Sequence, residues 1–429
     1  MDMPHIVGAG FAGAEAAWQL ARAGIPCVLS EMRPLRLTPA HRTGELAEPV
    51  CSNSFKAERL ESAAGLLKLE MSHFGSLCIE AAKRTRVPAG GALAVDRDLF
   101  AREVTRQIEA EPLIELRREE VTRIPEGTAV IAAGPLASDA LAKDIQRLCG
   151  AGLHFYDAAA PIVTAGSVDM EHAFFSSRYD RGGEDDYLNC PLDKEQYEAF
   201  EAALLSAERA QTHDFDVYEG CMPIEVLASR GKDAIRYGPM KPVGLRDPRT
   251  GRRPWAVLQL RRENTDGTLY NLVGFQTNLK FGEQKRVFGM IPALQNAEFA
   301  RCGVMHRNTF LDSPRLLRGD FSCKLRENLY FAGQITGVEG YMESAASGIL
   351  AGRSAARAIQ GLPPLELPPT TMLGALSRYI SDPGVKNFQP MGANFGILPG
   401  LETQIRDKRA RYEALGKRAL EAMEEAINS

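Results

Sequence analysis

The stretch HIVGAGFAGAEAAWQLARAGIPCVLSE, residues 5–31, decides the fold. His5-Ile6-Val7 is a short apolar strand, GAGFAG a glycine loop, and AEAAWQLARAG a helix closed by Gly24; Pro26 to Glu31 is the next strand. A β–α–β order of this kind sets its two strands parallel in one sheet. Gly8, Gly10 and Gly13 hold the GxGxxG spacing. The first glycine permits the tight turn, the second lets a pyrophosphate approach the backbone, and the third lets helix and strand pack closely. The pyrophosphate then lies on the free amides and positive end of the helix. Glu31, eighteen residues after Gly13, ends the second strand, where a carboxylate accepts from ribose hydroxyls. The spacing alone is common. Its strand–loop–helix context and Glu31 favour a dinucleotide site over an accidental run of glycines.

The far end of the chain selects which dinucleotide. NLYFAGQITGVEGYMESAASGILAG, residues 328–352, is a strand running into Gly333, then a loop, then a helix of small residues. Such helices pack closely, and that alone explains Ala345, Ala346, Ser347, Gly348, Ala351 and Gly352. One loop near each end of the chain nevertheless suits a single long dinucleotide, and FAD is the expected cofactor. The expected contacts are Gly8, Gly10, Phe11, Ala12, Gly13, Glu31, Met32 and Arg33 from the first segment, with Gly333, Gln334 and Tyr341 from the second.

With 429 residues the chain exceeds one ordinary core, so two packed units are expected. Its 45% hydrophobic and 25% charged residues exclude a disordered or fibrous chain. The first strand begins within ten residues, leaving no room for a signal peptide. No apolar run reaches the roughly 18–20 residues that span a bilayer. Eight cysteines, none in a CxxC pair, argue against zinc or a disulfide framework and for the reducing cytoplasm. No metal site is expected. The fold class that follows is α/β: a doubly wound, Rossmann-like FAD-binding domain split in sequence (residues 1–165 and 301–429, the latter with a C-terminal helix) around an α/β insertion, 166–300, on the substrate side. Helices are expected over 62–83, 97–109, 193–209, 342–360 and 401–427, and strands over 128–133, 255–262, 269–275 and 328–332.

Two cysteines sit in polar, turn-rich surroundings: Cys51 in PVCSNSF and Cys221 in YEGCMPIE. A free cysteine is more often a small buried hydrophobe, yet a thiolate is a good nucleophile near neutral pH. His41 and His306 also lie among polar residues. Between Arg230 and Arg253 the chain carries eight cations against Asp233 and Asp247, a local excess of six on a chain of formal charge −4. Arg246, Arg249, Arg252 and Arg253, with Tyr237 and Trp255 available for stacking, suit RNA; a solvated hairpin is the plainer alternative.

These features together resemble one family, the folate- and FAD-dependent tRNA (uracil-5-)-methyltransferases called TrmFO. The stretches that carry the likeness include GAGFAGAEAAWQLA, EMRP, TPAHRT, CSNS, VPAGGALAVDR, EGCMPIE, RYGPMKPVGL, GVMHRNTF, LYFAGQITGVEGYMESAASG and FQPMGANFGILP, between residues 8 and 399. CSNS and EGCMPIE are specific; GAGFAG is shared with many flavoproteins. The resemblance implies that FAD, reduced by NAD(P)H, and 5,10-methylenetetrahydrofolate together build a methyl group on carbon 5 of a T-loop uridine in tRNA. Carbon 5 of uracil is a poor nucleophile until carbon 6 is attacked. A thiolate suits that attack, and a base must then remove the carbon 5 proton. Cys221 is the expected nucleophile and Cys51 the proton acceptor, or the reverse; His306, Arg307 and Asn308 are candidate folate contacts. Gly392 stands where the family usually has Asn. Related readings are a ribosomal RNA uridine, the wobble-uridine chemistry of the glucose-inhibited division protein A type, an RNA-binding flavoprotein without methyl transfer, and an ordinary NAD(P)H oxidoreductase.

Overall fold

The computed structural model describes residues 3–38, 40–150, 153–158, 160–180, 183, 185–210, 222–303, 305–385 and 388–428. Strands β1 (His5–Val7) and β2 (Cys27–Glu31) flank helix α1 (Phe11–Arg22), as the opening segment requires. They pair in parallel, with Ile6 opposite Leu29. The sheet they begin has five strands in the order Leu329–Phe331, Ala129–Ile131, β1, β2, Ile114–Arg118, every neighbouring pair parallel. Its first strand comes from the far end of the sequence, so the glycine loop after β1 and the Gly333 turn open on the same region.

The two helices that follow those turns lie against each other. A Cβ on Gly348 would stand 2.1 Å from the Ala12 carbonyl oxygen, and one on Gly352 2.6 Å from that of Ala16. The small residues of helix Tyr341–Ile359 therefore let two backbones touch.

A second sheet of six strands runs Phe174–Phe175, Leu188–Leu192, Ala256–Arg262, Leu269–Leu272, Ile162–Thr164, Phe299–Arg301, with antiparallel neighbours throughout. Leu188, Cys190, Leu258 and Leu260 from this sheet share a core with Tyr197, Phe200, Ile224, Val287 and Phe288 from the helices beside it. The chain passes towards this sheet through strand Leu153–Ala158 and back through Met305–Phe310, which pair antiparallel. The fold is thus α/β, one parallel sheet with additional antiparallel sheets.

Two elements differ from expectation. The 62–83 segment is two helices, Ala63–His73 and Leu77–Arg84. Gly75, at φ 63°, turns the chain between them, and Glu15 reaches from α1 to accept from the Leu77 and Cys78 amides of the second. The last helix begins at Lys408 rather than near 401. No helix among the described residues is long and apolar enough to cross a membrane.

Candidate functional site

A groove runs over the glycine loop, lined by Gly8, Gly10, Phe11, Ala12, Glu31, Met32 and Arg33 on one side and Gly333, Gln334 and Tyr341 on the other. The three glycines divide as their chemistry demands. A Cβ on Gly8 would meet Ala133 Cα at 2.6 Å, and one on Gly13 would meet Gly8 O at 1.7 Å, whereas nothing lies within 4 Å of the place a Cβ would take on Gly10. Gly8 and Gly13 serve packing, and Gly10 leaves a space. Gly10 is also the N-cap of α1, with no side-chain cap and no acidic residue in the first turn. The leading amides of α1 thus face open groove, as an anion needs.

Glu31 is buried, and its carboxylate accepts from Ala9 N at 2.8 Å, Arg33 N at 3.0 Å and Arg33 Nε at 2.9 Å. Burial pushes its pKa up, but Arg33 and the amides outweigh that and hold it below the ordinary value. Arg33, also buried, extends its other side to Glu48 at 3.4 Å. Glu48 in turn accepts from Arg42 N and from both the amide and hydroxyl of Thr43. A carboxylate has about four acceptor positions, so Glu31 keeps capacity for a ligand while Arg33 ties the loop around 40–48 to the glycine turn. His41, paired with Thr38 at 2.6 Å, lines the same groove.

Cys51 stands at the groove margin. The Tyr341 hydroxyl accepts from Cys51 N at 2.6 Å and Ser52 N at 3.2 Å, and it lies 2.9 Å from Cys51 Sγ. With two amides on its oxygen, the phenol directs its own proton at the sulfur. Burial, then negative charge on Cys51, push the Tyr341 pKa well above its ordinary value, so it remains a donor. Tyr341 is held in turn by stacking on Phe11, ring centroids 4.7 Å apart.

Charges gather behind this pair. Arg97 donates to Pro49 O and to Glu263. Burial works against its charge, but Glu263, then Tyr341 and Cys51, raise its pKa. Arg301, buried nearby, is brought down to about 10 by burial and by repulsion from Arg97 and Arg42. Asn53 Oδ1 accepts from Arg261 Nε and Nη2 at 3.0 and 2.8 Å, and Asn53 Nδ2 donates to Val95 O and Arg262 O. The CSNS loop is therefore fastened to a strand of the antiparallel sheet. Sequence reasoning passed over Arg97, Glu263 and Arg301 and counted Arg261 only as an extension of the basic segment, because contacts such as Arg97 to Glu263 and Arg261 to Asn53 join residues far apart in the chain. The only local hint was Arg97 closing VPAGGALAVDR.

Cys221 lies outside the described residues. His306, Arg307 and Asn308 lie on strand Met305–Phe310, opposite Asp157, Tyr156 and Phe155. Arg246, Arg249, Arg252 and Arg253 are all exposed, but Arg249 grips Asp247 through two bonds of 2.9 and 2.7 Å. Among the described residues no group of three His, Cys, Asp or Glu is gathered for a metal.

Comparison with known proteins gives consistent relatives. Residues 4–363 match the family described as Glucose inhibited division protein A. The chain is 60% identical over 424 residues to methylenetetrahydrofolate–tRNA-(uracil-5-)-methyltransferase TrmFO of Pelotomaculum thermopropionicum, covering 98% of this chain and 97% of that protein. It is 54% identical to the protein of the same name from Enterococcus faecalis, covering 99% and 98%. Among solved structures, Aquifex aeolicus GidA superposes with a TM-score of 0.70 at 16% identity, over 99% of this chain and 75% of that one. That likeness concerns the fold alone.

Proposed function

The chain belongs to the TrmFO family, and from that membership we propose that it is a folate-dependent tRNA (uracil-5-)-methyltransferase, building a methyl group on carbon 5 of a T-loop uridine in the cytoplasm. FAD is the resident cofactor in this reading, methylenetetrahydrofolate the carbon donor and NAD(P)H the reductant. The doubly wound FAD domain is read as 1–165 with 301–429, and 166–300 as the α/β insertion facing the RNA. The groove supports FAD by its chemistry: Gly10 leaves room where Gly8 and Gly13 leave none, and α1 has no side-chain cap of its own. Gly8, Gly10, Phe11, Ala12 and Gly13 would hold the pyrophosphate, Glu31 and Met32 the ribose side, and Gly333, Gln334 and Tyr341 the far end, with Arg33 setting Glu31. When bound, FAD supplies hydride chemistry.

The observation that carries the reading is Cys51 beside this groove with the Tyr341 hydroxyl 2.9 Å from its sulfur, read as the donor because its oxygen already accepts from two amides. That donor favours negative charge on sulfur, the state in which Cys51 removes the carbon 5 proton. Tyr341, kept protonated by burial, holds the sulfur in place while the proton arrives. Cys221 is the proposed nucleophile for carbon 6, and His306, Arg307 and Asn308 remain proposed folate contacts. A test uses tRNA carrying 5-fluorouridine, whose carbon 5 cannot lose its substituent as a proton. The native enzyme with methylenetetrahydrofolate and NAD(P)H should form a covalent protein–RNA adduct. Cys51→Ala should still form it and Cys221→Ala should not. Methylation of ordinary tRNA by both single variants at native rates would sink the assignment.

A further inference from the structure

A second hollow, of about 500 Å³, opens on the antiparallel sheet, bordered by Lys194, Arg236, Asp247, Arg249, Arg253 and Trp255. That volume falls in the usual range for small-ligand pockets. Its wall is built from π-faces and cations. The Arg236 guanidinium lies 3.8 Å over the Trp255 ring, and its Nε donates to the Trp255 carbonyl at 2.9 Å. The Lys194 ammonium is 5.7 Å from the same ring. With Nε committed to that carbonyl, the Arg236 guanidinium keeps its Nη donors for other acceptors, and a guanidinium suits phosphate oxygens.

The charges of the hollow separate into two kinds. Arg249 is neutralised by its paired contact with Asp247 and shapes the rim. Asp193 is used as the N-cap of helix Lys194–Ser206. Arg236 and Arg253 have no carboxylate partner among the described residues, and Lys194 reaches only Glu198, at 3.9 Å. The unbalanced charge therefore surrounds the one tryptophan outside the parallel-sheet core. Resting on the reading that RNA is the substrate, we propose that this hollow is a docking subsite for one unstacked nucleotide of the tRNA, its phosphate on Arg236, Arg253 and Lys194 and its base against Trp255. Base stacking on an aromatic ring beside guanidinium groups is how proteins hold single-stranded RNA. The site is separate from the flavin groove, with which it shares no lining residue. It would grip the RNA body while the reacting uracil enters the groove.

The chain has only two tryptophans, and Trp18 is set in the parallel-sheet core with its Nε1 bonded to Gly75 O. Trp18→Phe therefore leaves Trp255 as the sole indole reporter. In that background, titrating unmodified tRNA transcript should quench the Trp255 emission. In the flavin-loaded enzyme, the double variant Arg236→Gln with Arg253→Gln should bind tRNA about tenfold more weakly, and its log K against log salt slope should fall by about two. Trp255→Leu should weaken binding by a similar factor with little change in slope. Flavin content and NAD(P)H-driven flavin reduction should be native in all three. Unchanged tRNA affinity in both variants, with methylation intact, overturns this subsite and leaves the methyltransferase reading standing. Displacement of tRNA from the native enzyme by a polyglutamate peptide at equal potency would mark the hollow as an acidic-peptide site and overturn it too. Native enzyme that neither binds nor methylates tRNA would overturn both readings together.

Discussion

The contact most informative at the residue scale is Tyr341 to Cys51, because one hydroxyl accepts from two amides and lies 2.9 Å from a sulfur, which leaves its proton for that sulfur. Tyr341→Phe removes the donor and strands the Cys51 and Ser52 amides. Turnover should fall by roughly ten- to a hundredfold, within the range for a group assisting proton transfer, with tRNA KM little changed. Without the donor, negative charge on the sulfur is less favoured, so the acid limb of the pH–rate profile should move to higher pH. An unmoved limb would reduce Tyr341 to packing. Both residues were marked from sequence, Cys51 for its thiol and Tyr341 as a flavin contact, but their pairing was not legible. They are 290 positions apart, and nothing in either neighbourhood specifies the other. Arg33 teaches the same lesson. It was read with EMRP as a cofactor contact, and the fold commits its guanidinium to Glu31 and Glu48.

Elements were legible where their spacing is local. The glycine loop, α1 and the late strand into Gly333 follow from patterns within a dozen residues. The break in 62–83 does not, because the second helix is capped from α1 by Glu15, some sixty residues earlier. Glu70 caps Met372–Ser381 in the same remote way, accepting from Met372 N at 2.7 Å and Leu373 N at 2.8 Å. Burial outweighs these amides and raises the Glu15 pKa to about 7 and that of Glu70 to about 8. A carboxyl raised on folding adds stability while protonated. That contribution is complete below the ordinary value of 4.5 and is lost as pH rises through 7 for Glu15 and 8 for Glu70. The native melting temperature should therefore fall across that window. Glu70→Gln should melt lower at acid pH, since its NH2 opposes one of the two helix amides at a cost of about 1–3 kcal/mol, yet lose less on going alkaline. Parallel melting curves against pH for both proteins would refute this. Gly348→Ala tests the helix contact: its Cβ would stand 2.1 Å from Ala12 O. Because Ala12 lies in the first turn of α1, we expect a loss of about 1–3 kcal/mol together with a lower flavin-to-protein ratio. A protein equally yellow and equally stable would contradict the close approach.

For the molecule as a whole, the parallel sheet was readable from the β–α–β opening, whereas the antiparallel sheet and the way the two join were not. The joint is polar and buried. Asn53 spends its carbonyl on Arg261 and its amide on Val95 and Arg262, Arg97 grips Glu263, and Asp96 accepts from the amide and hydroxyl of Thr265. All three contacts issue from the segments beside Cys51, so the thiol proposed as catalytic sits at the joint between the glycine-loop groove and the antiparallel sheet. Burial already lowers the Arg261 pKa, and removing its acceptor leaves a guanidinium with too few partners, which costs about 1.5–3 kcal/mol for a bond to a charged group. Asn53→Ala should therefore lower the melting temperature and slow methyl transfer by displacing Cys51. The flavin should stay bound, because neither glycine turn touches Asn53, and tRNA should still dock, because the Trp255 hollow lies on the far strand ends. Turnover falling while the flavin spectrum and tRNA affinity hold is the signature of a joint that positions chemistry. Loss of flavin in step with activity would show instead that Asn53 only supports the groove.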